Sequence, residues 1–458
     1  MPCLFISDDA ASCGTHALVK MAVQQISVRV ATAVGLGAII GAGIFVLSGT
    51  TIALAGVYSI IAFVLVGAIA TLVAVELGSL GEIMPHSKGA AYSFVYNAFG
   101  SEMGFVTGIM LYFSFATAVS AVALGFGAYL GSMLGLTQHI YAVAFALLQI
   151  LALTIINIIG IKKAAKADFG LVVVKLGVLT IFILFALLFL MAHPHVLQTN
   201  FATIPSKEGL GAIFAASVAV FFAYTGFQTI STLTDRIKGG ARGASKALMF
   251  SVFISIVVYL LVDISLMLLA PANAYTVNAD PLSFALKYAA APAWLFTLVD
   301  IGALVATTSA ALAMILASSR TAYQISKDKL LPAVLRKYNP KRDVAINGVI
   351  ITSAISAVML FSGNIYIIAA ISNFGLLFAY LMSSIAVIHF KRRPDVPLKI
   401  PFYPYLPIAT ILALVALLIG MPKEALLIGS GMIMLLIAVY YFFREIDRKK
   451  PVKVRLFK

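Results

Sequence analysis

Charge is scarce in this chain. Only 11% of its 458 residues are Asp, Glu, Lys or Arg, against about a quarter in an ordinary soluble domain. Hydrophobic residues make up 62% and the mean hydropathy is +1.05. A water-facing surface cannot be built from so little charge. A soluble enzyme, a disordered chain and a nucleic-acid-binding domain are therefore excluded. Cysteine is scarcer still: the only two, Cys3 and Cys13, lie close together near the N-terminus. No disulfide framework or thiolate metal site can form in the body of the chain. The six histidines show no metal-ligand spacing, and His193 and His195, which flank Pro194, have too few partners for a metal. No nucleophile–base pair and no phosphate loop is present. Asp300 and Ser309 share one stretch without forming a catalytic constellation. Enzyme chemistry is not expected, and no cofactor is implied.

What the sequence has is long apolar runs. They cover residues 29–53, 57–83, 91–131, 139–160, 164–191, 210–235, 245–270, 293–327, 345–361, 364–390, 403–420 and 424–443. A bilayer-spanning helix needs roughly 20 apolar residues, so these read as twelve transmembrane helices of an all-α integral membrane protein. Pro85, Pro194, Pro271, Pro332 and Pro422 fall between them, where helix breakers belong. The run 91–131 is too long for one straight span. Gly100, Ser101-Glu102 and Gly104 divide it into a short surface helix and a span.

Acidic residues number 17 against 32 Lys and Arg, a formal net charge of +15. With the N-terminus inside, 28 of the 32 cations fall in inner segments and only Lys207, Lys287 and Lys423 in outer ones. That asymmetry is the positive-inside signal and requires an even helix number, with both termini cytoplasmic. The inner cations include Lys88, the Lys162, Lys163 and Lys166 group, and Arg236, Lys238, Arg242 and Lys246. The first 28 residues show no basic start followed by an apolar core, so no cleaved signal peptide is expected, and Met21 is a second candidate start. The remaining cation, Lys175, stands inside a helix.

Two helices carry interruptions. The first reads VGLGAIIGAGIFVLSG, with Gly35, Gly37, Gly41, Gly43 and Gly49 in 15 residues. The sixth reads AVFFAYTGFQTISTLTD, with Gly226 among aromatic residues. Small residues in a membrane helix serve either close packing or an unwound segment whose free backbone groups bind substrate. The pairing favours the second reading. These helices open two consecutive sets of five, and an odd number reverses the orientation of the second set. The free N–H groups after Gly41-Ala42-Gly43 would suit a carboxylate. Exposed carbonyls around Phe222 to Thr225 would suit an ammonium. Together they offer the complement of an α-amino acid.

GLGAIIGAGIFVLSG resembles the first helix of the amino acid-polyamine-organocation (APC) superfamily. VAVELGSLGEIMPHSKGAAYSFVYNAFG (73–100), FFAYTGFQTISTLTDRIKGGARGASKAL (221–248) and SSRTAYQISKDKLLPAVLRKYNPKRDVAING (318–348) are similar to further stretches of that family, in the same order. The resemblance covers residues 25–445. It implies a LeuT-type 5+5 inverted repeat plus two C-terminal helices. The chain would divide into a cytoplasmic tail (1–28), a first repeat (29–191), an extracellular loop (192–209), a second repeat (210–390), helices 11 and 12 (391–443) and a basic cytoplasmic tail (444–458). It also implies a substrate site at Ile39, Gly41, Ala42, Gly43, Phe222, Ala223, Thr225 and Gly226. The carboxylate would take the amides of Ala42 and Gly43, and the amine the carbonyls of Ile39, Phe222 and Thr225. Phe222 would close over the substrate, or else simply pack against lipid or in the core. Ala42 departs from relatives that carry Ser, which removes a hydroxyl but keeps the backbone donor. Gln228 departs from exchangers with an acid at that position, and an amide cannot titrate.

Lys175 lies about 16 Å into its helix by the α-helical rise, near the middle of the bilayer core. A Lys stem cannot snorkel to either interface from there, and a charge at that depth is costly and usually functional. In proton-coupled relatives a fifth-helix Lys stands where sodium-coupled ones bind a cation, between the first, fifth and eighth helices. Lys175 matches that Lys, and the run Thr307-Thr308-Ser309 matches the eighth-helix side. Protonated Lys175 would brace the first helix, and deprotonation would release it. Glu76 either lines the inner pathway or anchors helix packing. Asp263 and Asp300, nearer the outer ends of their helices, are expected in a solvated vestibule.

The resemblance thus implies a plasma-membrane permease, a secondary active transporter of amino acids. The lack of acids near the interruptions points to neutral ones. Proton-coupled symport is expected, with an amino acid or polyamine exchanger lacking net proton coupling as the alternative. Its partners would be amino acid, protons and lipid bilayer, and no nucleic acid. The sequence leaves the choice between monomer and homo-oligomer undetermined.

Overall fold

The computed structural model describes residues 26–84, 91–159, 164–201, 209–227, 230, 237–339, 342, 344–394, 396 and 398–449, with side chains except at 164–169, 241 and 443–449. Cys3, Cys13, Met21, Pro85, Lys88, Lys162, Lys163, Lys207, Gln228, Arg236 and residues 450–458 lie outside the described residues, as does the side chain of Lys166. Among the described residues the regular structure is helical, apart from the isolated bridges Ile26–Ile237 and Asn339–Val344.

Every apolar stretch holds a helix. The first holds two: α1 (Val28–Ile39) and α2 (Ala42–Ala55). A single 3-10 turn joins α2 to α3 (Ser59–Ile83). The third stretch divides as expected into α4 (Ala91–Phe99) and α5 (Ser101–Leu134), at Gly100 with φ 83°. Next come α6 (His139–Ile159), α7 (Ala164–Ala192), a short α8 (Val196–Phe201) and α9 (Leu210–Tyr224). The second half continues with α10 (Gly240–Leu269), a short α11 (Pro281–Tyr288) and α12 (Ala293–Lys327). It ends with α13 (Ile346–Met359), α14 (Ile365–Lys391), α15 (Tyr405–Ile419) and α16 (Lys423–Lys449). Among the described residues, eight helical segments are long and apolar enough to cross a membrane, one of them running from Ala42 to Ile83. Four further apolar helices, α1, α9, α13 and α15, are shorter.

The two short helices interrupt loops that sequence reading left irregular. Asn200 ties α8 to the end of α10, its Nδ2 donating to the carbonyls of Met267 (3.1 Å) and Leu268 (3.2 Å). Those carbonyls lie in the last turn of α10, which has no intrahelical donor to offer them. α11 starts on Pro281, whose fixed φ and missing N–H suit a first helical turn.

α5 is the central post, with 83% of its apolar window buried, against 33% for α6 and α7 and 17% for α16. The outer helices turn large apolar side chains outward: Leu148, Leu151 and Ile155 on α6, Leu184 and Leu188 on α7, and Phe250 and Phe253 on α10. In water this surface would be a liability; in hydrocarbon it is the matching solvent. α7 shows the division along one helix. Val172, Lys175, Leu179, Phe182 and Ala186 are buried at helical spacing, while Val173, Val174, Leu187 and Leu188 are exposed. Lys175 is thus on the protein-facing stripe.

Candidate functional site

The first helix breaks where its glycines cluster. α1 ends at Ile39, Ile40 leaves helical geometry at φ −75° and ψ 67°, and Gly41 caps α2 at φ −100° and ψ −139°. No side chain caps α2. The amides of its first turn, Ala42, Gly43 and Ile44, therefore have no intrahelical acceptor and carry the positive end of the helix dipole. These residues are buried. The far side of α2 is held rigidly, because Tyr129 of α5 donates its hydroxyl to the carbonyl of Phe45.

The sixth stretch breaks earlier than its apolar length suggested. α9 stops at Tyr224, Thr225 is extended at φ −62° and ψ 144°, and Gly226 takes φ +117°, a conformation that favours glycine. The two breaks touch. A Cβ on Gly43 would lie 2.3 Å from the Cα of Ala223, and one on Gly226 would lie 2.3 Å from the carbonyl oxygen of Ala38. Glycine at both positions lets the two backbones meet without an intervening side chain. Ala223 and Phe222 are buried beside them, and Thr225 and Gly226 are half-buried. The structure thus brings Ile39, Gly41, Ala42, Gly43, Phe222, Ala223, Thr225 and Gly226 to one place.

The carbonyls at this place are already in use. Ile39 O accepts from the amide of Gly41 at 2.7 Å and from the hydroxyl of Tyr259, on α10, at 2.7 Å. The same hydroxyl lies 2.8 Å from Ala223 O, so one proton serves both breaks. Phe222 O accepts from the amide (3.2 Å) and the hydroxyl (2.8 Å) of Thr225. Tyr259 is fully buried, with its ring edge-on to Tyr224 at 5.0 Å and to Phe63 at 6.1 Å. Sequence reading missed it. Its signal was a lone tyrosine in the apolar run ISIVVYLLVD, where a buried Tyr must find a partner.

Lys175 is 1% exposed. Its neighbours on the same stripe fix its level. Val172 fills the space beside Gly37 of α1, at 2.3 Å from where a Cβ would be, and Val178 does the same beside Gly302 of α12, at 2.7 Å. Lys175 thus lies within a turn of both contacts, between α1 and α12. The expected alternation of spans would set α1 and α7 in the same sense and bring Lys175 level with Ile40–Gly41, at the break, and with Val305–Ala306 on α12.

The run Thr307-Thr308-Ser309 does not act as one cluster, because successive helical residues point about 100° apart. Thr307 is buried and bonds back to Ala303 O at 2.7 Å. Thr308 accepts from Nε2 of Gln149, on α6, at 3.2 Å. Ser309 stands two turns on from Gly302, on the face turned to α7, and bonds back to Ala306 O at 3.0 Å. Ala310 faces the break itself, 3.4 Å from where a Cβ on Gly41 would lie.

Two of the three acids resolve differently from expectation. Asp263 and Asp300 are not in a solvated vestibule: they are 0% and 1% exposed. Depth along a helix gave their height but not their facing. Asp263 accepts from Ser59 Oγ at 2.7 Å, at the first residue of α3, so it joins α10 to the positive end of that helix. Glu76 is buried on α3 and accepts from Ser384 of α14, an anchor between two helices.

The model of the amino acid permease family matches residues 30–452. The chain is 30% identical over 410 residues to the branched-chain amino acid permease BcaP of Bacillus subtilis, covering 85% of this chain and 86% of the relative. It is 28% identical over 450 residues to the BcaP of Lactococcus lactis, covering 93% and 96%. The methylthioribose transporter of Bacillus subtilis is 29% identical over 396 residues, covering 82% and 84%.

Proposed function

The chain belongs to the amino acid permease family, and we propose that it carries neutral amino acids across the cell membrane by proton-coupled symport. The observation that carries this reading is the juxtaposition of the uncapped α2 N-terminus with the end of α9. Donors for a carboxylate stand within one backbone contact of acceptors for an amine. The substrate carboxylate takes the amides of Ala42 and Gly43. Its ammonium takes the carbonyl of Thr225, together with those of Ile39 and Phe222 as their present donors turn away. Neither break segment, 35–45 or 218–230, contains an acid to hold a cationic side chain. Ile39, Ala42, Phe222 and Phe227 offer apolar surface instead, which suits side chains of the branched aliphatic kind named for two relatives.

Lys175 is the coupling group in this reading. An ammonium level with Ile40–Gly41 holds carbonyls of the first break while protonated. Loss of the proton removes those hydrogen bonds and lets α1 move relative to α7 and α12, with both termini on the cytoplasmic side. The test is uptake of a labelled amino acid mixture into proteoliposomes, with and without an inward proton gradient, for wild type and Lys175→Ala. Gradient-driven accumulation that the variant loses is the expected result. Unchanged accumulation in Lys175→Ala removes Lys175 from the mechanism. Uptake only against preloaded amino acid makes the protein an exchanger and Lys175 a brace.

A further inference from the structure

At the opposite end of α2 from the break, α11 is wedged among three helices. Pro281 packs on Gly49 of α2, its Cβ 2.5 Å from where a Cβ on that glycine would lie. Lys287 is exposed, and its ammonium donates to Ser132 Oγ, in the last turn of α5, at 2.6 Å. Ser283 turns inward and faces Asp300 of α12. Ser283 is 0% exposed and Asp300 is 1% exposed. Among the described residues, no hydrogen bond reaches the Ser283 hydroxyl or either carboxylate oxygen of Asp300.

The charges around this pair do not balance. Asp280, half-buried at the N-cap of α11, acts on Asp300 as a second negative charge. Among the described residues, Lys287 is the one cation acting on both, and it is held in water at Ser132. From α5 the titratable group facing them is Tyr129, committed to Phe45 O, and α2 carries no titratable residue. One negative charge is left unmatched beside a carboxylate that is out of water and faced by one neutral hydroxyl. Burying an ionised carboxylate in that state is costly unless a cation accompanies it.

We propose that Asp300 and Ser283 form an outer site for a small monovalent cation, a proton or a sodium ion, with Asp280 and Lys287 at its rim. Carboxylate and hydroxyl oxygens are the ligands such an ion takes, and the neighbouring ammonium disfavours a divalent one. Occupancy fastens α11, which sits on α2, to α12. This inference does not depend on which substrate the protein carries. Asp280 reports the same field from outside the membrane span: burial pushes its carboxyl up to about 6 from 3.8, against the opposing pull of Lys287 and Ser132.

The chain supplies its own reporter. Its single tryptophan, Trp294, is 63% exposed on α12, less than two turns from Asp300. The experiment follows Trp294 fluorescence and the thermal midpoint of the purified full chain from about pH 5 to about pH 8, first in choline chloride and then in sodium chloride. The folded state binds the extra cation, so stability is greatest with the site filled. If the cation is a proton, the midpoint falls as pH rises across this range, and sodium changes nothing. If it is sodium, sodium but not choline raises the midpoint saturably near the alkaline end.

Asp300→Asn removes the unmatched charge, abolishes the sodium dependence and leaves only the part of the pH dependence that Asp280 carries. Ser283→Ala weakens it roughly tenfold, the loss of one hydrogen-bonding ligand. Lys287→Gln adds a second unmatched charge and moves the pH step upward by about one unit. Wild type responding to neither cation overturns the proposal. So does Asp300→Asn retaining the wild-type response. Should Asp300→Asn fail to fold, an unmoved step in Lys287→Gln together with an unchanged response in Ser283→Ala overturns it equally.

Discussion

Replacing Gly43 with alanine tests whether the contact between the two breaks is the working geometry of the site. The added methyl would sit 2.3 Å from the Cα of Ala223, 2.9 Å from its Cβ and 3.0 Å from its amide nitrogen. Ordinary contact begins near 3.4 Å. No side-chain rotation relieves the clash, because two of the three atoms are backbone. Ala223 is itself tied to Tyr259, so α9 cannot retreat alone. The backbones must separate by about 1 Å, and overpacking of this kind costs roughly 1–3 kcal/mol. A misplacement of about 1 Å in a positioning site costs roughly 100-fold in rate. Gly43→Ala is therefore expected to insert and fold, with a lowered thermal midpoint, and to lose uptake by about two orders of magnitude.

Gly177→Ala is the matched control. A Cβ there meets nothing within 4 Å, and the residue is exposed on α7, two positions from Lys175. Alanine inside a helix is favoured over glycine by about 1 kcal/mol, so this variant should transport as wild type and melt slightly higher. Initial uptake rates of both variants in proteoliposomes, normalised to inserted protein, give the comparison. Wild-type uptake by Gly43→Ala would refute the claim that the Gly43–Ala223 contact defines the site. Equal losses in both variants would show that the assay reads general damage.

Tyr259→Phe keeps the ring on Tyr224 and Phe63 but removes the shared proton. Apparent affinity for the amino acid should rise, by up to roughly tenfold, because the ammonium no longer displaces a proton from Ile39 O, while a carboxylate-only analogue binds unchanged; equal changes for both ligands would count against a role at the amine. Ser59→Ala strips Asp263 of its one hydrogen bond and should destabilise by about 1–3 kcal/mol in a thermal melt, with Ser59→Thr restoring it. Tyr92 donates to Asp328 at 2.7 Å, joining α4 to the end of α12. Tyr92→Phe should lower the melting midpoint by an amount equivalent to about 1.5–3 kcal/mol, and no change would show that the bond contributes nothing.

Much of this architecture was legible because lipid leaves a chain few choices. Hydrocarbon forces each span to be a long apolar helix, so the twelve stretches located the helices. Gly41 and Gly226 were legible for a related reason: a glycine inside an apolar membrane helix needs a cause. What sequence reading could not supply was azimuth and partnership. Asp263 and Asp300 were placed at the correct height and given the wrong surroundings, because distance to the helix end says nothing about which way a side chain faces. Thr307, Thr308 and Ser309 were grouped as neighbours in sequence, whereas helical geometry sends Thr308 to Gln149 on α6 and Ser309 towards α7. Tyr259 escaped notice because its partners, Ile39 and Ala223, lie 220 and 36 residues away.

The occupied carbonyls change how binding at the break must be understood. An open ring of unsatisfied acceptors, the picture suggested by an unwound helix, would be costly to bury. Here the donors that satisfy Ile39 O and Phe222 O come from side chains that can redirect their protons. Tyr259 can commit its proton to Ala223 O, and the Thr225 hydroxyl can rotate away from Phe222 O. An arriving ammonium then exchanges hydrogen bonds with the protein rather than adding to them. The net gain from such an exchange is small, because a typical intramolecular hydrogen bond contributes only about 1 kcal/mol once its replacement is counted. Affinity must come instead from the uncapped amides of α2, which have no such internal substitute, and from apolar burial of the substrate side chain. In the proposed site the backbone groups would set which end of an amino acid lies where, and the apolar surface around Ile39, Ala42 and Phe222 would set which amino acid stays.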